Sequence, residues 1–362
     1  VPTRPLYQYA IFVAVVSAMM VGVSALISAF FSVGLRVAVP TFVTTTVIIW
    51  AASMIYVIGE IINRIWHLVW IKRIGAVILG VVSISVSVVL PGFLLFLTPL
   101  SRVLIVEVSV SIIALLSLWG IFNHQLPPKI TNLDVQINRS SRQGIRIVQL
   151  SDVHLDGITS THWVRQLVET VNKLSPDIIV FTGDFLDISP DRVRDQLELI
   201  KSLNATIGKL AVSGNHDFYG DYNVFKTVMS DIGFQLIDND HVSIGGIDFV
   251  GIADSDASRF GFYRADARLD FPSFPLDKTV VALSHRPDEF SIFSSKGITL
   301  QLSGHTHWGQ IPPFNLFIRF VHTFPKGFAK INESMLYVSK GTGVWGPPMR
   351  LFGRSEIVTF TL

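Results

Sequence analysis

The chain has 362 residues, of which 49% are hydrophobic and only 15% charged, with a formal net charge of +2; an ordinary soluble domain carries roughly 25% charged residues. That composition speaks against a wholly soluble globular protein, and the lack of any Lys/Arg-rich run or basic-aromatic stripe removes nucleic acid as an expected partner. The absence of cysteine excludes disulfides, zinc-thiolate sites and a cysteine nucleophile, so any metal must be held by His, Asp, Glu or Asn.

Charge is unevenly spread. Val1 to Pro128 holds six Lys+Arg and two Asp+Glu, against 23 and 25 in the remaining 234 residues. Four apolar segments fill the poor part, Tyr9 to Val33, Val37 to Ile58, Ile74 to Phe96 and Leu104 to Phe122. Each is long enough to cross a hydrocarbon layer of about 30 Å as a helix. A cleavable signal peptide supplies one short apolar core and does not account for four. Pro91 and Pro99 blur the end of the third segment, and Glu107 is expected near an interface or facing the bundle.

Between the second and third segments, Glu60 to Arg73 carries Trp66, Trp70 and three cations, a composition that predicts an interfacial helix. Arg4, Arg64, Lys72, Arg73 and Lys129 fall on one side of the membrane, and Arg36 and Arg102 on the other. The excess of cations places both termini, and the domain that follows, on the cytoplasmic face. The lipid bilayer is therefore the first expected partner.

Beyond Pro128 the composition becomes that of a soluble α/β domain, giving a division into residues 1–128 and 129–362. Short β-rich runs recur at Ile145 to Leu150, Asp177 to Thr182, Lys209 to Ser213, Ile247 to Ile252, Thr279 to Ser284, Ile298 to Ser303, Met335 to Ser339 and Glu356 to Leu362. Helical periodicity lies between them, as in Trp163, Leu167, Val168, Val171 and Leu174.

Five of these runs lead into groups of possible metal ligands: Asp152-Val153-His154, Gly183-Asp184-Phe185-Leu186-Asp187, Gly214-Asn215-His216-Asp217, His285-Arg286 and Gly304-His305-Thr306-His307. In an open α/β sheet, ligands bind beyond the carboxyl ends of the strands, so the five loops can converge. Alone, an Asp-x-His or a His-x-His is usually a surface or core feature. Here half of the ten histidines sit in these loops, and it is the joint occurrence that points to metal. Carboxylate, amide and imidazole donors suit a borderline divalent cation such as Mn, Fe, Co, Ni or Zn better than Ca. Two cations about 3.5–4 Å apart can share a carboxylate and a hydroxide that is nucleophilic at neutral pH.

In this order, Asp152-x-His154, Gly183-Asp184-x-x-Asp187, Gly214-Asn215-His216-Asp217, His285 and Gly304-His305-x-His307 resemble the five motifs of the calcineurin-like metallophosphoesterases, over about Gly144 to Leu362. The closing stretch, from Gly304 through Leu336 to Gly343 and Arg350 to Phe352, is similar to the membrane-associated branch with several N-terminal transmembrane helices. The resemblance implies two facing β-sheets flanked by helices. It implies that Asp152, His154, Asp184 and His307 hold one metal, and that Asp184, Asn215, His285 and His305 hold the other. Two divalent ions are expected, manganese foremost, with Fe, Zn, Co or Ni as alternatives. His216 would lie near the leaving group and Asp217 would orient its imidazole, while Asp187 is either a helix start or a supporting carboxylate. Trp308 departs from the glycine that relatives often carry, and its bulk would reshape the substrate pocket.

The reaction expected is hydrolysis of a phosphoester or pyrophosphate by a bimetal-bridging hydroxide, with His216 assisting departure. Arg286 and Arg350 are candidates to grip a phosphate. His162, His241 and His322 fit no motif and default to surface or helix-face positions. The membrane helices suggest a lipid or nucleotide-linked lipid substrate, such as a lipid A precursor, by analogy with related hydrolases. The alternatives are a membrane-anchored phosphodiesterase acting on soluble substrates, or a catalytically silent scaffold or sensor.

Overall fold

The computed structural model describes residues 6–66, 68–135, 144–268, 270–275 and 277–362; Arg4 and His67 lie outside them. The described chain divides into two compact units. One comprises the N-terminal residues through Gln125 together with two later segments, Gly309–Leu316 and Gly346–Gly353; the other holds the remainder.

The first unit is built on α1 (Leu6–Leu35), α2 (Val39–Trp66), α3 (Val69–Leu95) and α4 (Arg102–Gln125). All four are long and apolar enough to cross a membrane. Their lipid-compatible surfaces leave Val47, Leu94, Leu115 and Leu118 exposed, whereas small residues sit where helices meet. A Cβ at Gly75 of α3 would strike the backbone of Tyr56 in α2. Phe30 of α1 stacks on Phe96, ring centroids 5.0 Å apart, and meets Phe93 edge-on at 5.4 Å. Pro91 is accommodated inside α3, which runs on to Leu95, and Glu107 is exposed in the second turn of α4.

The expected interfacial helix over Glu60 to Arg73 is not a separate element. Its residues are the end of α2 and the start of α3, and Trp66 and Trp70 are both exposed there. The cause is local: Glu60 reaches Lys72 at 3.1 Å, so two of the charges that suggested a headgroup-facing helix neutralise each other across the hairpin.

The second unit contains twelve strands among the described residues, in two six-stranded mixed sheets. The first is ordered β1 (Lys129–Asp134), β12 (Glu356–Thr361), β2 (Arg146–Leu150), β3 (Ile178–Thr182), β4 (Gly208–Val212), β5 (Gln235–Leu236). The second is ordered β10 (Gly327–Ile331), β11 (Ser334–Val338), β9 (Leu300–Ser303), β8 (Val280–Ser284), β7 (Ile247–Ile252), β6 (Asp240–Ile244). All eight expected runs are strands.

Side-chain alternation explains the layering. Ile147 of β2 faces inward and joins Ile178, Val180 and Leu210, which pack on Phe249, Val281, Leu283 and Leu302 of the opposite sheet. Val148 and Leu150 face outward onto the helix Thr161–Lys173 through Val164, Leu167, Val168 and Val171. Ser160 starts that helix by accepting the Trp163 N–H at 3.2 Å. Each such buried aliphatic side chain contributes about 1.5–3 kcal/mol. Near the strand ends the inward position of β2 is Gln149, whose Nε2 donates to Thr182 Oγ1 and to the Ser303 carbonyl, both at 2.9 Å. It ties the two sheets together directly beneath the functional loops.

Candidate metal centre

The loops after β2, β3, β4, β8 and β9 bring their polar side chains together. Asp152, His154 and His307 form one group whose donor atoms lie within 4.8 Å of each other, and Asp184, His285 and His305 form a second. Asp184 stands between them, its Oδ2 3.2 Å from His285 Nε2 and 3.7 Å from His154 Nε2. Asn215 Oδ1 is 3.2 Å from His285 Nε2. All seven residues expected to ligate metal are thus in one place.

Getting them there demands unusual backbone. Asp152, His154, Asp184, His305 and His307 all have positive φ, between 46° and 71°, a region that side-chain-bearing residues visit rarely and that clusters at functional sites. Gly183 (φ +87°) is required by packing as well: a Cβ there would stand 2.5 Å from His285 Nδ1 and 2.7 Å from the Gly214 Cα. Supporting hydrogen bonds hold the loops. His305 N–H donates to Asp152 Oδ1 at 3.0 Å, His216 N–H to Asp184 Oδ1 at 2.8 Å, and Ser151 Oγ–H to Asp152 Oδ2 at 2.6 Å.

The donor chemistry fits a pair of cations. His285 Nδ1 donates to the Thr182 carbonyl at 2.8 Å, which turns the Nε2 lone pair toward Asp184 and Asn215. His154 Nδ1 donates to Asp187, at 3.0 and 3.1 Å from its two oxygens, and Nε2 then points at His307 Nε2, only 3.0 Å away. Imidazole nitrogens this close together beside buried carboxylates form a donor set that a divalent cation would stabilise. The negative field is strong: against the effect of burial, the Asp184 and Asp152 carboxylates push His285 up to about 10.

His216 stands at the edge of this cluster, its ring meeting His154 edge-on at 4.8 Å. Here the sequence expectation needs correction. Asp217 does not hold the His216 imidazole; its two oxygens accept the backbone N–H groups of Asp184 (3.0 Å), Phe185 (3.1 Å), Leu186 (3.2 Å) and Gly214 (2.8 Å). It shapes the β3 and β4 loops instead. The carboxylate that holds His216 is Asp187, with Oδ1 3.0 Å from Nδ1. Burial favours the uncharged ring, yet the Asp187 and Asp184 carboxylates outweigh it and push His216 up to about 9. In return, although burial opposes it, the charges of His154 and His216 hold the Asp187 carboxyl well below the usual carboxylate range.

Other expected residues separate. Arg286 is drawn to Asp254, Nε to Oδ2 at 2.8 Å and Nη2 to Oδ1 at 3.3 Å, so its guanidinium is held by a carboxylate and does not stand ready as a phosphate grip. Arg350, 1% exposed, belongs to the helical unit, where its backbone N–H donates to the Gly120 carbonyl at 3.0 Å. His162 and His241 are exposed as expected. His322 is not: it is buried, with its ring 5.5 Å from that of His305 and Nδ1 3.5 Å from Asp288. Trp308 is buried between two cations, Lys326 Nζ at 3.6 Å and Arg319 Cζ at 4.9 Å from its ring centre. Two aromatic residues that sequence reasoning missed flank His216, Tyr219 at 5.0 Å and Trp345 at 5.7 Å between ring centroids. The available signal for Trp345 was Gly343, two residues earlier, where any Cβ would strike the backbone of Val153; the N–H groups of Thr342 and Gly343 donate to the Ser151 and Asp152 carbonyls at 2.7 and 2.9 Å.

Residues 145–309 match the family model of the calcineurin-like phosphoesterases. An uncharacterized metallophosphoesterase of Campylobacter jejuni is 30% identical over 262 residues, covering 72% of this chain and 70% of its own. The chain belongs to the calcineurin-like phosphoesterases. A transmembrane protein with a metallophosphoesterase domain from Danio rerio is 30% identical over 266 residues, covering 69% of this chain and 61% of its own. An uncharacterized metallophosphoesterase of Bacillus subtilis is 34% identical over 230 residues, 60% of this chain and 79% of its own. The four N-terminal helices of this phosphoesterase are long and apolar enough to cross a membrane.

Proposed function

We propose that this phosphoesterase is a multi-pass membrane hydrolase that cleaves a phosphoester or pyrophosphate bond in a lipid or nucleotide-linked lipid, with its catalytic unit on the cytoplasmic face. The observation that carries the reading is the meeting of seven metal-competent side chains from five loops with a histidine already held by a carboxylate. Asp152, His154, Asp184 and His307 would hold one divalent ion and Asp184, Asn215, His285 and His305 the other. When bound, the two ions lower the pKa of water to give a nucleophile at neutral pH and neutralise phosphoryl charge.

The protein's own part in the reaction is proton management and charge placement. Because Nδ1 of His216 is engaged by Asp187 at 3.0 Å, the proton available to a substrate is the one on Nε2. Held in this way, His216 would donate that proton to the departing oxygen. Asp187 fixes the ring so that Nε2 faces outward. A single carboxylate thereby couples the leaving-group histidine to the ligand His154.

The cation distribution supports the cytoplasmic orientation, Arg36 and Arg102 opposing Arg73 and Lys129. A soluble nucleotide would use the same machinery, and Trp345, 52% exposed beside His216, offers it a stacking face. Two measurements decide. Hydrolysis of bis-p-nitrophenyl phosphate by the detergent-purified chain should require Mn, stop on chelation, and be lost in His216→Ala and Asp184→Asn; activity indifferent to all three rejects the enzyme reading. Incubation with a membrane lipid extract, followed by mass spectrometry, should show one phosphate-bearing lipid disappearing, and an unchanged extract assigns the site to soluble substrates.

A further inference from the structure

The helix Phe314–Val321 presents an apolar surface to the outside of the protein. Phe320 is 87% exposed and Val321 71%, and Phe314, Leu316 and Phe317 are each more than half exposed. At about 100° per residue these side chains cover one broad arc of the helix. The opposite arc belongs to Asn315, which is buried, and to Arg319, which lies over the Trp308 ring. A cluster of this kind on so short a helix is a contact surface for something apolar.

Two observations name the occupant. The approach to the helix is fixed to a membrane-spanning element: Ile311 is buried with Ile84 and Met349, and Ser83 Oγ–H of α3 donates to the Pro312 carbonyl at 2.7 Å. Ser83 lies twelve residues before the end of α3 at Leu95, about 18 Å along the axis, within a hydrocarbon core of about 30 Å that starts at that end. The segment entering the helix therefore lies at membrane depth. The second observation is charge. Arg319, on the opposite arc, and Lys326, beyond the helix, are both exposed and both rest on Trp308, an aromatic-plus-cation arrangement suited to phosphate headgroups.

We infer that Phe314–Val321 is an in-plane membrane helix, its phenylalanines in the acyl boundary of a bilayer with anionic headgroups and Arg319 and Lys326 at the phosphates. The helix ends at Val321, and the next residue, His322, packs its ring 5.5 Å from that of His305. The inference rests on the chain being a membrane protein and not on the substrate being a lipid; the test reads location, so either can fail alone.

The chain has no cysteine, so Phe317→Cys, Phe320→Cys and Val321→Cys can each carry a single nitrobenzoxadiazole label in the full chain, reconstituted in nanodiscs of phosphatidylethanolamine and phosphatidylglycerol. Labels at exposed Lys201 and at lipid-exposed Leu115 are the references. The expected result is a blue shift, loss of fluorescence to lipids spin-labelled near the headgroup, and protection from iodide relative to Lys201→Cys. Labels open to iodide and unaffected by spin-labelled lipid overturn the inference. Labels shielded from both overturn it too, since a protein partner or a second copy then covers the arc.

Discussion

The Asp187 carboxylate lies 3.0 Å from Nδ1 of His216. The same group accepts from Nδ1 of His154 at 3.0 Å, so one side chain sets the tautomer both of a histidine in the metal cluster and of the histidine beside it. Replacing it with asparagine keeps the shape and removes the charge that raises the proton affinity of His216. Asp187→Asn should lower kcat by about 10–100-fold and weaken Mn binding in the same range. A Mn titration of bis-p-nitrophenyl phosphate hydrolysis separates the effects, and saturating Mn should restore only part of the loss. Full restoration would assign Asp187 to metal binding alone.

Asp184 stands between the two donor groups, its Oδ2 3.7 Å from His154 Nε2 and 3.2 Å from His285 Nε2. Asp184→Asn should therefore deplete both ions, while His307→Ala, which removes a donor beside Asp152 and His154, should deplete one. Metal content of the purified chain, measured by mass spectrometry after dialysis against Mn, is the readout. Apparent affinity at the damaged site should fall by at least about 100-fold. Equal depletion by the two substitutions would mean that the ions are bound cooperatively.

Of the twelve strands, the eight legible in the sequence are interior to the sheets, and the missed four, β1, β5, β6 and β10, are the outermost strands of each sheet. The reason is physical. An interior strand such as β3 or β8 is buried along its whole length and reads as a continuous apolar run. An edge strand such as β1, Lys-Ile-Thr-Asn-Leu-Asp, is exposed at most positions and reads as a loop. The ligand set was legible because it follows interior strands and because its residue types are scarce. Which carboxylate holds which imidazole was not legible: Asp187 and Asp217 are both two or three residues from a ligand, and only the turn after β3, closed by the Asp217 hydrogen bonds, decides between them.

Trp345 tests how the substrate is held. It is half exposed and meets His216 edge-on at 5.7 Å, at a position that Gly343 and the Ser151–Thr342 hydrogen bond fix in place. It donates no proton to the reaction and belongs to neither donor group. Trp345→Ala should raise KM by about 2–10-fold, the worth of one aromatic contact, and leave kcat within a factor of about two. Trp345→Phe should recover most of the affinity. A fall in kcat with unchanged KM would instead make Trp345 a support for the His216 ring.

Asp217 tests the correction to the expected proton relay. Its carboxylate accepts four backbone N–H groups from two loops, all in the buried region around Asp184. Removing it leaves those donors without partners, and each buried unsatisfied group costs about 1–3 kcal/mol. Asp217→Ala should therefore destabilise the second unit by several kcal/mol, seen as a lower Tm and faster proteolysis of the detergent-purified chain. Asp217→Asn can keep the bonds to one oxygen only, since its amide nitrogen is a donor, and should fall between. If Asp217 served His216 directly, Asp217→Asn would lose activity with Tm unchanged, and a lowered Tm in step with the activity loss identifies it as the residue that folds the loops.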